Sequence, residues 1–206
     1  MARIRSKPSR KPATAHTGLI NDPLSMWEKL VWDVEVFRDI QVSYPEERQP
    51  LAYAAINVCI AAWSLAQWVF TAAKRASREQ GVAFSDGLFW ADVHRIVPEQ
   101  AKCEAIADTA KHSKHEDKDW PGGEVRIDWI DGDEDEPPGW HFRHVHDDGR
   151  EGVLALSTFQ SLCNNWWRFL VEHGYAVGNY HTPRWLNNKL ARMFGDRPPY
   201  VGKSEG

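Results

Sequence analysis

The chain has 206 residues, of which 42% are hydrophobic, and its formal net charge is −4. This length and apolar content suit one sizeable core and exclude several large domains, so we predict a single helical domain over residues 21–195. Polar residues interrupt the most apolar stretch, residues 52–73, and leave no continuous run of the roughly 18 apolar residues that a membrane span needs. We therefore expect a soluble, cytoplasmic protein with no membrane partner.

Both ends of the chain differ in composition from its middle. Residues 1–20 contain five basic side chains before residue 12 and lack the apolar run of a secretory signal. We predict a disordered basic arm there and a flexible tail at residues 196–206. The arm either touches nucleic acid or another acidic partner, or it only keeps the protein in solution, and we favour the second interpretation.

Caps and helical spacing predict six helices, arranged as a mainly α, antiparallel bundle. Asp22 followed by Pro23 is a strong start signal for the first helix, which we expect to run to about residue 41. The second helix, about residues 49–80, is apolar nearly all round, as expected of a central helix surrounded by others. The remaining helices are predicted at residues 86–94, from residue 98 onward, at 157–173 and at 183–194.

Five polar side chains of the second helix share one narrow stripe when they are placed at about 100° per residue. They are Tyr53, Asn57, Ser64, Gln67 and Thr71. The stripe is either a set of satisfied interior groups facing a neighbouring helix or a binding site, and we favour the interior interpretation. Packing against the helix that carries His115 would then form a polar pocket from Asn57, Ser64, Gln67 and His115.

Residues 123–156 depart from helical spacing and alternate between apolar and polar side chains. Two alternating runs flank the sequence DGDEDEPPG, which predicts an inserted β-hairpin with a long acidic loop, and residues 153–156 suit a third short strand. Residues 116–151 contain thirteen acidic and four basic side chains, a net charge of −9, so the rest of the chain carries +5. We expect a mildly basic body beside an acidic hairpin.

No residue pattern calls for a cofactor, and we predict none. Cys59, Cys103 and Cys163 show no metal-binding spacing, which indicates free buried thiols in a reducing compartment. The hairpin carries a triplet of histidines, His141, His144 and His146. His144 and His146 project to the same face of a strand and could share a metal, with Asp147 or Asp148 as the carboxylate that completes the shell. The sequence indicates no third ligand at a defined place, so we favour an ordinary exposed hairpin.

The densest group of chemically active side chains lies in the stretch CEAIADTAKHSKH, residues 103–115. Helical spacing lets the Asp108 carboxylate reach both the Lys111 ammonium and the His112 imidazole. A histidine positioned by a carboxylate beside a cation is a serviceable acid or base for phosphodiester chemistry. The same residues also suit a solvated helix end, where cationic side chains complement the dipole, and composition alone favours that interpretation.

A resemblance to a known family rests on two stretches, AYAAINVCIAAWSLAQWV and CEAIADTAKHSKH. This order of parts resembles a group of uncharacterised bacterial and phage helical proteins that in turn resemble HEPN-type domains, over about residues 51–115. The resemblance implies an antiparallel helical bundle, often dimeric, whose better-known relatives are RNA-cleaving toxins and defence factors. Position by position it marks Asp108, Lys111 and His112, with His112 as the acid or base.

Two functional hypotheses follow. The first is a HEPN-like protein of a bacterial or phage conflict system that cleaves RNA through His112 as a homodimer, with Trp27, Trp63 or Trp68 as interface anchors. The second is a non-catalytic binding or adaptor protein whose helical body and acidic hairpin hold a protein or nucleic-acid partner. Residues 98–112 lack the arginine of the usual HEPN signature, and Ser64 and Gln67 stand where the related group has a histidine and an acid, which favours the second hypothesis. The retained Lys111 and His112 pair favours the first, which is our leading hypothesis.

Overall fold

The computed structural model describes residues 19–112, 123–132, 138–153 and 156–194, with backbone alone for His112, residues 151–153 and Phe194. Within these residues, six helices and three strands follow one another along the chain. They are α1 (Pro23–Ser43), α2 (Arg48–Glu79), α3 (Asp86–Ile96), α4 (Gln100–His112), β1 (Glu124–Ile130), β2 (Gly139–Val145), β3 (Glu151–Val153), α5 (Leu156–Glu172) and α6 (Arg184–Phe194). The predicted mainly α fold with a small hairpin is confirmed.

The first helix begins where the sequence predicts. The Asp22 carboxylate accepts a hydrogen bond from the Ser25 amide at 2.7 Å, and the Ser25 hydroxyl lies 3.3 Å from the Asp22 amide. This reciprocal capping box satisfies two amides that the first turn leaves without helical partners, and Pro23 at the first helical position has no amide hydrogen to satisfy. α1 continues to Ser43, two residues beyond the predicted end.

The core lies around α2, which packs against α1 on one side and α4 on another, while α5 packs against α1 and α3. Small side chains such as Ala55, Ala62 and Ala66 are fully buried on α2, so neighbouring helices approach its backbone closely. Helical spacing predicts that five apolar side chains form the buried face of α5, and this is confirmed because each of them is at most 1% exposed: Phe159, Leu162, Trp166, Phe169 and Leu170.

The three strands form one antiparallel sheet in the order β1-β2-β3. Trp129 of β1 pairs with Trp140 of β2, and their rings meet edge to face at 5.6 Å. Trp140 also joins the sheet to the helices, because its backbone amide and its indole N–H donate to the carbonyls of Pro45 and Glu46 between α1 and α2. The predicted third strand is present at Glu151–Val153, slightly earlier in the chain than expected.

Three expectations about the helices need correction. α4 begins at Gln100 rather than near residue 98. The sequence predicts Asp86 as the cap of α3, but Ser85 caps this helix by accepting from the Leu88 amide, because Asp86 is already the first helical residue. Helical spacing predicts that Met193 of α6 is buried, but it is 61% exposed.

α2 is long and apolar enough to cross a membrane by length and composition, contrary to the expectation drawn from its interrupting polar residues. Half of its most apolar window is buried inside the fold. A core helix satisfies the same criterion of length and composition, and the burial of α2 among α1 and α4 is that of a core helix.

Candidate functional site

The α4 helix separates its core-facing side chains from the predicted catalytic ones. Cys103 and Ala107 are 1% and 0% exposed, whereas Asp108 is half-buried and Lys111 is exposed. Lys111 and His112 follow Asp108 by three and four residues, so all three Cα atoms lie along one flank of the last turn. The side chain of His112 and the whole of His115 lie outside the described residues, so their predicted roles stay predictions.

A histidine of the preceding helix approaches this flank and was missed from the sequence. His94 Nε2 of α3 lies 3.8 Å from Glu104 Oε2 of α4, and Glu104 precedes Asp108 by one helical turn. The flank therefore carries two carboxylates within four residues, with His94 beside the first. Spacing within α4 indicates that Glu104 and Asp108 are neighbours, but only the packing of α3 on α4 brings His94 to them.

The polar stripe of α2 faces solvent, so the prediction that it is interior is wrong. Tyr53 is 62% exposed, and Asn57 and Gln67 are also exposed. Ser64 is half-buried, and its hydroxyl donates to the Ile60 carbonyl of the same helix at 2.7 Å. The stripe lies opposite the buried face of α2, and none of the helices that the structure describes covers it. The predicted pocket with His115 stays a prediction.

The hairpin histidines are more buried than the sequence indicated. His141 is 5% exposed and His144 is 0% exposed, and the rings of His144 and His146 meet at 4.2 Å. Within the described ranges, no group of three or more histidine, cysteine, aspartate or glutamate side chains is placed to hold a metal ion. Burial of two of the three imidazoles indicates a packing role in the sheet.

Two other histidines, both missed from the sequence, are held by carboxylates near the end of α5. His173 Nε2 lies 2.9 Å from Asp92 Oδ2, and His181 Nε2 lies 3.0 Å from Glu28 Oε1. Each imidazole stacks on a ring of α5: His173 on Phe169 at 4.1 Å and His181 on Trp167 at 5.2 Å. The partners are 81 and 153 residues apart in the chain, so no local spacing could indicate either pair.

The Asp92 carboxylate is shared between the side chains of Arg95 and His173. Burial raises its pKa, but the hydrogen bonds and charges of Arg95 and His173 together lower it by more, so the pKa of Asp92 lies below its ordinary value. Asp92 is therefore ionised at neutral pH and can only accept hydrogen bonds. His173 Nε2 must then carry the proton of their shared hydrogen bond.

The three cysteines, predicted as buried free thiols, are confirmed as buried and free. A hydrogen bond to Cys103 and burial raise the pKa of the Cys59 thiol well above its ordinary value. Burial, followed by the charge of Cys103, also raises the pKa of Cys163. Thiolate is the nucleophilic form of cysteine, so the Cys59 and Cys163 thiols are unreactive core groups.

Comparison of the chain with family models, with curated proteins and with solved structures found no match. The resemblance to HEPN-type domains therefore stays a prediction.

Proposed function

We propose that the chain is a binding protein that pairs with a second copy of itself through the outer strip of α2. The outer strip consists of Tyr53, Asn57, Ser64, Gln67 and Thr71. One observation supports this proposal: residues 49–73 contain no charged side chain, although one side of this segment is open to solvent. An exposed helix face normally carries charges, and depletion of charge is typical of the centre of a protein interface.

The charges at the two ends of α2 favour an antiparallel copy. Residues 46–48, two glutamates and one arginine, precede the uncharged segment with a net charge of −1, and residues 74–79, with three basic side chains and one glutamate, follow it with a net charge of +2; all these charged side chains are exposed. In a two-fold arrangement of antiparallel helices, the acidic end of one copy meets the basic end of the other. The uncharged segment has 25 residues and spans about 37 Å, which gives the two helices a long line of contact.

Nucleic acid is a poorer occupant of the same face. Binding to a phosphate backbone depends on lysine and arginine side chains, and the outer strip has neither along its whole length.

The acidic hairpin is a second surface, and its negative charge suits a basic partner. It exposes Trp129, which is 42% open to solvent and donates its indole N–H to Asp131. A dimer would present two such hairpins to a partner protein.

Asn57 and Gln67 lie symmetrically about the centre of the strip, so each faces the other across an antiparallel pair. The double variant Asn57→Lys/Gln67→Lys places like charges opposite each other, whereas Asn57→Glu/Gln67→Lys places opposite charges there. We expect the wild type and the Glu/Lys variant to be dimers by light scattering at concentrations where the Lys/Lys variant is a monomer. Gln160→Lys/Ser161→Lys, two exposed positions of α5, controls for added charge and should leave the dimer intact.

A wild-type protein that stays monomeric at every concentration would refute self-association. Equal behaviour of the Lys/Lys and Glu/Lys variants would place any interface elsewhere on the molecule.

RNA cleavage through His112 is the second proposed function, favoured by one feature of α4. Asp108 and Lys111 both lie off the core in the last turn, where they would orient His112 and attract a phosphate. Wild type and His112→Ala should be compared on labelled RNA, with and without a chelator, and His181→Ala serves as the control histidine. Cleavage lost only in His112→Ala would support catalysis. Equal cleavage by all three proteins, or no cleavage by any of them, would contradict catalysis through His112 and leave binding as the remaining proposal.

A further inference from the structure

A recess of about 580 Å³ opens where the end of α2, the start of α3 and the end of α5 meet. It lies apart from both α4 and the outer strip. Sites for small molecules commonly have volumes of about 300–1,000 Å³ and are lined by apolar and aromatic side chains with a few polar groups. This recess has both the volume and the mixed lining of such a site.

Its apolar wall is built from three phenylalanines. Phe84 and Phe89 lie 5.9 Å apart between ring centroids, and Phe89 meets Phe169 edge to face at 6.2 Å. Leu88 stands at the rim and is 74% exposed. Rings in such tilted and edge-to-face arrangements are suited to receive another aromatic ring.

The polar side of the recess carries the Asp92–His173 pair. Asp92 accepts from His173 Nε2 at 2.9 Å and from Arg95 at 2.5 Å. With the proton fixed on Nε2, the other ring nitrogen of a neutral His173 is a hydrogen-bond acceptor. Within the part of the chain that the structure describes, Nδ1 of His173 has no hydrogen bond, so a ligand that donates one hydrogen bond would use it.

Two hydroxyl groups complete this polar side. Burial raises the pKa of Tyr175, so its phenol keeps its proton and can donate. The Ser85 side-chain oxygen accepts from the Leu88 amide and retains its own proton to donate. The side therefore offers one acceptor and hydroxyl donors, which matches a ligand group that both donates and accepts.

The charge balance of the polar side favours a neutral ligand. Among the lining side chains, Asp92 is the one carboxylate, and Arg95 and His173 already pair with it, so the recess offers a ligand no unpaired charge. A charged group would lose hydration on entry without a compensating partner charge. A neutral hydroxyl loses less and gains the hydrogen bonds described above.

We propose that this recess binds a small neutral aromatic molecule that carries one hydroxyl group, a ligand of the phenol class. The ring lies against Phe84, Phe89 and Phe169, and the hydroxyl donates to His173 and accepts from Tyr175 or Ser85. His173 is the residue that selects the hydroxyl, and the phenylalanines select the ring.

The probe for this site is 2-naphthol, titrated into the full-length protein by calorimetry at pH 7. Two related probes test the hydroxyl: 2-methoxynaphthalene cannot donate a hydrogen bond, and naphthalene-2-sulfonate carries a negative charge. We expect 2-naphthol to bind and the other two to bind up to about tenfold more weakly, the effect of one net hydrogen bond.

His173→Phe keeps a ring on Phe169 and removes the acceptor, so it should weaken 2-naphthol binding to the level of 2-methoxynaphthalene. His181→Phe is the matched control, since His181 is also stacked on a ring and held by a carboxylate, and it should bind like the wild type. Leu88→Ser changes only the exposed rim and should weaken all three probes together without affecting folding.

Several results would overturn the proposal. They are no binding of 2-naphthol to the wild type, equal binding of 2-naphthol and 2-methoxynaphthalene, stronger binding of the sulfonate, or equal losses in His173→Phe and His181→Phe. Circular dichroism of each variant, compared with wild type, separates a lost site from a lost fold. If His173→Phe fails to fold, unchanged affinity of Leu88→Ser for all three probes overturns the proposal instead.

Discussion

The two faces of α2 both lack charged side chains between residues 49 and 73 but have opposite environments. Leu65, Ala66 and Val69 are fully buried on one face, whereas Asn57 and Gln67 on the other face are exposed. Neither face carries a charge between residues 49 and 73. The composition of a helix without charges predicts a central position surrounded by other helices, yet in α2 only the side that α1 and α4 cover lies in the core. The absence of charge therefore does not distinguish a buried helix face from an exposed one.

The largest expected effect comes from Leu65 of the buried face. Leu65→Ala removes a fully buried side chain and leaves a cavity, so it should lower the free energy of unfolding by about 2–5 kcal/mol. Gln67→Ala, two residues away on the exposed face, should change it by less than about 0.5 kcal/mol. Urea unfolding followed by circular dichroism measures both at a protein concentration where the chain is monomeric.

Similar losses for Leu65→Ala and Gln67→Ala would contradict the contrast between the faces. A large loss for Gln67→Ala that appears only at high protein concentration would instead sharpen it, because the stability of a dimer depends on concentration.

The fold was largely predictable because its signals are local. Asp22 and Pro23 mark the start of α1, where the capping hydrogen bond joins Asp22 to Ser25, three residues later. The apolar spacing from Phe159 to Leu170 predicts the buried face of α5. Alternation likewise predicts β1 and β2. The environment of the α2 stripe was not predictable, since it depends on whether any other element covers it, and spacing within one helix carries no information about that.

Capping at the start of α1 tests whether substitutions at exposed positions always have small effects on the free energy of unfolding. Asp22 is exposed, but its carboxylate accepts from the Ser25 amide at 2.7 Å. Asp22→Ala removes this acceptor and should lower the free energy of unfolding by about 1 kcal/mol, between the two effects on α2. Asp22→Asn retains an acceptor and should recover most of the loss in the same urea experiment. Equal stability of Asp22→Ala and the wild type would show that water replaces the cap fully.

The candidate sites were less predictable than the fold. Asp108 and Lys111 belong to one helix, so spacing placed them on one flank, whereas His94 joins Glu104 only through the packing of α3. The pairs of His173 with Asp92 and of His181 with Glu28 join residues 81 and 153 positions apart. A single sequence contains no local signal for such contacts, because they arise only after the helices have packed.

Asp33 provides the smallest effect and the finest test, because it is a charged side chain on the buried side of α1. It is 8% exposed and pairs with Lys29. Burial raises the pKa of Asp33 by more than the hydrogen bond and charge of Lys29 lower it, so ionisation of this carboxyl opposes folding. The resulting stability is fully present below the unfolded-state pKa of about 3.9 and is lost as the pH rises through the higher folded-state pKa. Asp33→Asn cannot ionise, so its stability relative to wild type should increase with pH over that window.

The pKa of Asp92 is shifted in the opposite direction from that of Asp33, so Asp92 provides a control with the opposite dependence of stability on pH. Its pKa is lowered in the folded protein by Arg95 and His173, against the effect of burial. The stability it contributes is present above the unfolded-state pKa and is lost as the pH falls through the folded-state pKa. Asp92→Asn should thus lose stability relative to wild type as the pH rises from acid to neutral, while Asp33→Asn gains it. Urea unfolding of the three proteins between pH 3 and pH 7 measures both trends, and parallel curves for the two variants would show that burial of Asp33 does not dominate its pairing with Lys29.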